Sequence, residues 1–154
     1  MTIDVRYRVA CENDLPVLAN MLASDPLGAT RECLQEPLDQ RYCRAFSAID
    51  SDTNNELIVV ESGKQLVGML QLTFIPYLTH IGSWRCLIEG VRVHENYRNL
   101  GLGRQFFQWA IDRARSRECA IVQITSNKQR TEAIRFYQSL GFVSSHEGFK
   151  LSLE

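Results

Sequence analysis

Leu87 to Arg104 reads L-I-E-G-V-R-V-H-E-N-Y-R-N-L-G-L-G-R: an apolar run, a short polar connection and two glycines before a second apolar pattern. The first part, Leu87 to Val93, is short, apolar and β-rich and predicts a buried strand. From Leu102 onward, Leu102, Phe106, Ala110 and Ala114 recur at helical spacing on one face. Gly101 and Gly103 therefore stand at a strand-to-helix junction. A helix start carries N–H groups without intrahelical partners and about half a positive charge, and glycine has no Cβ to keep a ligand off that backbone. This is the build of a phosphate site.

Spacing separates three kinds of phosphate loop. A P-loop requires G-x-x-x-x-G-K-[ST], and no Gly-Lys pair followed by Ser or Thr occurs in the chain. A dinucleotide fingerprint requires a third Gly or Ala where Phe106 stands. The pattern that fits is R-x-x-G-x-G, here Arg98, Gly101 and Gly103, after a strand ending V-x-V at Val91 and Val93. It resembles the acetyl-CoA pyrophosphate loop of the GCN5-related N-acetyltransferases. Glycine-rich turns also precede helices as plain connections, so a second motif is required.

At 154 residues and 45% apolar content the chain suits one domain, residues 1–154, with one core. Lys and Arg number 17 against 18 for Asp and Glu, so no positive field is available to hold nucleic acid. The start M-T-I-D-V-R-Y-R-V lacks a signal-peptide pattern, and no apolar stretch approaches the roughly 20 residues of a membrane span. A soluble, cytoplasmic protein with no membrane partner is expected. Five cysteines, without C-x-x-C spacing, read as reduced, packed thiols; His80, His94 and His146 belong to no metal pattern, and no metal is expected.

Alternation of Ile3, Val5, Tyr7 and Val9 predicts an opening strand. Leu15, Leu18, Ala19 and Leu22 predict a helix, Ser24 to Thr30 a break, and Leu38, Tyr42, Phe46 and Ile49 a second helix. The region from this break through the second helix, up to the polar loop Asp50 to Asn55, is expected to wall a substrate cleft. Glu56–Glu61 and Gln65–Ile75 read as a hairpin about Ser62-Gly63-Lys64, and Tyr77–Arg85 leads into the central strand without a decisive period. After the central helix, Ala120–Thr125 predicts a strand that should run parallel to the central strand Leu87–Val93. Thr131–Leu140 predicts a helix stopped by Gly141, with strands beginning at Phe142-Val143 and alternating through Phe149, Leu151 and Leu153.

The later part also carries N-x-x-x-x-x-A-x-x-F-Y-x-x-x-G-F, written as Asn127, Ala133, Phe136, Tyr137, Gly141 and Phe142. This second motif is similar to the same family, in which an Asn near the cofactor arm precedes a helix bearing the Phe-Tyr pair. The resemblance implies an α/β fold, with a mixed sheet of about seven strands, a splayed central parallel pair and about four helices. It implies acetyl-CoA as co-substrate, held through Val91, Arg92 and Val93 along the pantetheine arm. The pyrophosphate would lie on Arg98, Asn99, Leu100, Gly101, Leu102, Gly103 and Arg104, with Asn127, Ala133, Phe136 and Tyr137 completing the cofactor site.

The implied reaction is direct acetyl transfer to a primary amine. An alkyl ammonium with a pKa of about 10 must lose a proton to attack, and the departing thiolate gains from a donor. Tyr137 corresponds to the family's general acid and Glu89 to a carboxylate that draws off the amine proton. Glu89 equally suits a structural ion pair with Arg85 or Arg92. Tyr77, His80, Trp84, Glu89 and His146 are the candidates for the acceptor side. The likeness to small-molecule acetyltransferases, including the aminoalkylphosphonate type, favours a small-molecule amine. A peptide or protein amine (N-terminus or lysine), or a non-catalytic acyl-CoA sensor, is the alternative. A ping-pong route through Cys86 with His80 is a third chemistry. Monomer and homodimer both remain open.

Overall fold

The computed structural model describes residues 2–154. Its strands are β1 (Arg6–Val9), β2 (Asn55–Ser62), β3 (Gln65–Pro76), β4 (Trp84–Val93) and β5 (Cys119–Ile124). Its helices are α1 (Leu15–Ala23), α2 (Pro26–Arg31), α3 (Gln40–Ser51), the single turn α4 (Thr79–Gly82), α5 (Leu102–Ser116) and α6 (Thr131–Ser139). The strands form one mixed sheet in the order β1-β2-β3-β4-β5, with β1 to β4 joined antiparallel. The chain divides into two compact units, a larger one ending at Gln123 and a smaller one, Ile124–Glu154. No helix among the described residues is long and apolar enough to cross a membrane.

In the larger unit, β2 and β3 are buried through Leu57–Val60 and Val67–Leu70 because both sheet faces are covered. On one face Leu57, Val59 and Met69 cluster with Leu18 and Met21 of α1, and with Phe46 and Ile49 of α3 at the margin. The opposite set, Ile58, Leu70, Leu72, Phe74 and Ile88, is as deeply buried as Leu102, Phe106, Phe107 and Ala110 of α5, which packs on β4. The far end of α5 is tied to the start of β2: Arg113 forms a bidentate pair with Glu56, and Arg117 donates to Asn54 Oδ1 at 3.0 Å while lying 4.0 Å over the Phe74 ring. At its near end, Gln105 takes both backbone groups of Ile3 (3.1 and 2.9 Å). These ties fix α5 along its axis, and hence the position of its N-terminus.

The break expected at Ser24–Thr30 is instead the helix α2. Asp25 accepts a hydrogen bond from the Gly28 N–H and Pro26 occupies the first helical position, two start signals that a six-residue helix has no periodicity to reinforce. A Cβ on Gly28 would overlap the Leu22 carbonyl oxygen, so only glycine lets the α1–α2 corner close. The ambiguous segment 77–83 is the tip of a long β3–β4 hairpin, with His80 and Ile81 in left-handed conformations (φ 53° and 60°).

The strands expected at Phe142-Val143 and through Phe149–Leu153 are not formed. The described residues hold five strands, and Val143, Phe149, Leu151 and Leu153 are exposed. Alternation supplies the side-chain pattern of a strand, but a strand exists only where a neighbour completes its ladder.

Arg8 joins β1 to the first helical turn. It forks onto Asp14 (2.7 and 3.0 Å) and reaches Glu61 at 2.7 Å, and Asp14 also accepts from the Cys11 N–H at 2.8 Å. The Arg8 hydrogen bond, working against burial, holds the Asp14 carboxyl below the usual carboxylate range. A depressed folded-state pKa means the stabilisation is complete above the unfolded carboxyl pKa, about 4, and is lost as pH falls through the folded value. Asp14→Asn should lower unfolding free energy by about 1–3 kcal/mol at neutral pH, and the deficit against wild type should shrink in urea melts taken toward pH 2–3, a range fixed by the unfolded carboxyl near 4.

Candidate functional site

The site is built on β4. Its register with β3 pairs Arg92 with Met69 and Glu89 with Gln71, so two residues of β4, Gly90 and Val91, face the single Leu70. This is a β-bulge. Gly90 adopts φ +64°, a conformation that glycine takes without strain. The bulge breaks the two-residue alternation, so that Glu89 and Arg92, three apart, both stand opposite β3 residues of the α1–α3 face.

Their surroundings differ. Glu89 is exposed. Arg92 is nearly buried, its Nη2 3.2 Å from Asp25 at the start of α2 and its Nη1 2.8 Å from the Val91 carbonyl. The arginine expected along the cofactor arm thus turns its side chain to α2, and only its backbone is available to the arm. Near Asp25, Glu32 accepts from Tyr42 Oη at 2.7 Å and pairs with Arg31 Nε at 3.0 Å. Burial raises the Glu32 carboxyl, but the Tyr42 hydroxyl together with Arg31 and Arg92 outweighs it and holds the group below its usual range. On the neighbouring strand Gln71 and Thr73 both donate to Asn55 Oδ1 (3.1 and 2.7 Å), fixing the side chain opposite Glu89.

Neither arginine considered as a structural partner takes Glu89. Arg92 is held by Asp25, and Arg85 lies 4.3 Å over the Tyr77 ring with Nη1 3.4 Å from Gln123. Tyr77, His80 and Trp84 gather at the hairpin tip, where Trp84 is five residues and ~17 Å along β4 from Glu89. The structure does not bring these three to the carboxylate.

Beyond β4 the loop is tightly formed. His94 Nδ1 accepts from the Asn96 N–H at 3.1 Å, and Arg98 Nε donates to the Val93 carbonyl at 3.0 Å. Asn99 and Gly101 both have left-handed backbones (φ 61° and 88°). Leu100 between them is exposed, whereas Leu102 is fully buried and anchors the helix start. No side chain caps α5, and its first backbone bond runs from the Gln105 N–H to Gly101 at 3.1 Å. A Cβ placed on Gly101 would meet nothing within 4 Å, so the approach to this backbone is open. Left-handed residues before an uncapped helix N-terminus make a concavity of N–H donors suited to phosphate oxygens.

In the smaller unit, Asn127 accepts from the Gln129 N–H at 2.9 Å and forms the turn leading to α6. Ala133, Phe136 and Tyr137 lie on the half-buried side of that helix. Its end explains the spacing of the second motif. The Phe142 N–H reaches the Tyr137 carbonyl (3.1 Å), the Gly141 N–H reaches Gln138 (3.0 Å), and Gly141 has φ +98°. This is a Schellman cap with its apolar contact made by the Tyr137 and Phe142 rings, 6.2 Å apart. Tyr137 is thereby oriented by the glycine stop. His146 is exposed beside Ser145.

Burial pushes the Cys86 thiol up to about 12, so it stays protonated and is poorly suited to the ping-pong role. Sequence reasoning passed over Gly90, Gln71, Asp25, Glu32 and Tyr42. An isolated glycine within a strand pattern signals a bulge and could have exposed the first; the others depend on tertiary pairing.

Comparison with known proteins agrees with this geometry. The model of the acetyltransferase (GNAT) family matches residues 20–142. An aminoalkylphosphonate N-acetyltransferase of Salmonella typhimurium is 29% identical over 123 residues, 79% of each chain. A crystal structure from Bacillus halodurans C-125, described as a transcriptional regulator, is 52% identical, with TM-score 0.94 over 97% of this chain and 100% of its own. A Clostridium acetobutylicum acetyltransferase solved with acetyl-CoA has the same fold, with TM-score 0.74 at 18% identity over 97% of both chains. With a phosphate-type loop after a bulged strand, and a family match spanning most of its length, the chain belongs to the GNAT acetyltransferase family.

Proposed function

We propose that this acetyltransferase uses acetyl-CoA to acetylate a primary amine on a small molecule, working as one domain over residues 1–154. The observation that carries the reading is the 98–104 loop, open at Gly101 and uncapped at the α5 N-terminus. Acetyl-CoA supplies an activated acetyl thioester. The N–H groups at the start of α5 and the charges of Arg98 and Arg104 would hold its pyrophosphate. Backbone groups beside the Gly90–Val91 bulge, with Asn127, Ala133 and Phe136, would hold the arm.

Two residues carry the protons. Glu89, facing solvent and taken by neither Arg85 nor Arg92, accepts the proton the amine must lose before it attacks. Tyr137, at the family's acid position, gives its phenolic proton to the sulfur as the carbon–sulfur bond breaks. A small amine is favoured by the Salmonella relative, whose acceptor by name is an aminoalkylphosphonate. A regulator acting through DNA would need a basic surplus, and the chain has 17 basic against 18 acidic residues. Thiol release from acetyl-CoA across small amines, aminoalkylphosphonates and peptides tests the assignment; turnover only with peptides, or with none, would refute it.

Gly103→Val adds bulk in the first turn of α5 at a position without a left-handed backbone, so the fold should persist while acetyl-CoA affinity, read by calorimetry, falls about tenfold or more, a loss of about 1.4 kcal/mol or more. Unchanged affinity would remove the loop from the cofactor site. Glu89→Gln should depress turnover most at neutral pH and recover as pH rises and the free amine becomes abundant; a mutant-to-wild-type ratio independent of pH would make Glu89 structural. Tyr137→Phe keeps the ring contact with Phe142 and should leave acetyl-CoA binding intact, with turnover reduced about 10²- to 10⁴-fold. Wild-type turnover would reduce the tyrosine to packing.

A further inference from the structure

A chain of hydrogen bonds runs across the sheet toward Glu89, and its direction is fixed at the far end. Asp52, just past α3, is a carboxylate and can only accept, so the Asn55 atom lying 2.7 Å from its Oδ2 is the amide Nδ2. Asn55 Oδ1 is then an acceptor, and it receives Thr73 Oγ1 at 2.7 Å and Gln71 Nε2 at 3.1 Å. This leaves the Gln71 amide one orientation. Nε2 is committed to Asn55, and Oε1 is the end with no hydrogen-bond partner among the described residues. Oε1 is also not sealed from solvent. Gln71 stands directly opposite Glu89 in the β3–β4 register, on the same face, where paired side chains start about 4.5–5.5 Å apart at Cβ. Two accepting groups, a carboxylate and an amide oxygen, therefore border one spot above β3 and β4.

We propose that Gln71 is a substrate-binding, specificity-determining residue, its Oε1 accepting an N–H of the acceptor amine while Glu89 takes the proton. The inference rests on the acetyl-transfer reading and accounts for nitrogen as the acceptor atom. A primary ammonium has three N–H hydrogens. One passes to Glu89 as a proton; the neutral amine keeps two, one of them for Gln71 Oε1, and its lone pair is left to attack the thioester carbonyl. An alcohol has a single O–H hydrogen. Once Glu89 takes it, Oε1 faces an oxygen with nothing to donate. A site that holds its ligand through a hydrogen bond discriminates against an analogue that cannot make it.

The test is calorimetry on the full chain loaded with coenzyme A, comparing 2-aminoethylphosphonate with ethylphosphonate, the same molecule without its amine. If thiol release selects another amine of the panel, that amine and its deamino analogue take their place. Gln71→Met keeps the length of the side chain and removes the accepting oxygen. It should weaken the amine about tenfold or more and change the deamino analogue by less than about twofold, with coenzyme A affinity unchanged. Gln71→Glu, which restores an accepting oxygen, should hold the amine at least as tightly as wild type. Equal weakening of both ligands by Gln71→Met, or loss of the amine preference in Gln71→Glu, would make Gln71 a packing residue and overturn the proposal. Should Gln71→Met not fold, wild type decides by nuclear magnetic resonance: the Gln71 side-chain amide signal must shift with the amine and stay in place with the deamino analogue, and a signal that follows both or neither rejects the contact. Failure of the underlying reading is distinct, since wild type would then release no thiol with any amine of the panel, and the role of Gln71 would fall with it.

Discussion

One extra residue in the middle of β4 decides which of its side chains share a face. A regular strand returns to the same face every second residue, so residues three apart point to opposite sides. The Gly90–Val91 bulge puts Glu89 and Arg92 on one face and interrupts the ladder to β3 beside them. Its cost is a glycine in a strand interior, about 0.5–1 kcal/mol. Fully buried neighbours on both sides, Leu70, Leu72 and Ile88, keep the strands paired around it. The bulge, the loop and the α5 N-terminus then follow one another in twelve residues, Gly90 to Gly101, at the C-terminal end of β4.

The parts of this arrangement visible in the sequence are those written as backbone geometry. Gly101 marks a left-handed residue at a helix start, and Gly141 marks a helix stop; each reads through spacing because few other residues suit those conformations. The Phe-Tyr pair likewise reads through the cap that orients it. Longer elements were legible from periodicity, with shifts of a few residues at their ends. α2 was not, because six residues hold less than two helical turns and its start signals resemble a turn. The roles of Asp25, Glu32 and Tyr42 come from contacts between segments, which a local pattern does not encode. The C-terminal alternation was legible as strand propensity, but propensity alone forms no ladder, and no strand is present there among the described residues.

The polar wall beneath the bulge illustrates how an ion pair serves geometry. Arg92 and Asp25 are largely removed from water, and the desolvation of such a pair offsets most of its attraction. Its consequence is positional: Asp25 caps α2 and holds Arg92, so the start of α2 and the C-terminal part of β4 are tied together. Glu32 extends the tie to α3 through Tyr42. β4, α2 and α3 are thus linked by side chains that share hydrogen bonds.

This division of partners is also what leaves Glu89 available. A carboxylate on a strand with arginines at positions 85 and 92 would ordinarily be expected to pair with one of them, and a paired carboxylate is a weaker base. Here Asp25 takes Arg92, while the Tyr77 ring and Gln123 take Arg85. Gln71 faces Glu89 across the register, but its amide is directed to Asn55. The surrounding residues satisfy one another and leave an exposed carboxylate at the edge of the bulge, which is what the proposed base role of Glu89 requires. Asp25 and Gln71, which no local pattern in the sequence singles out, thus decide that Glu89 is left without either arginine as partner.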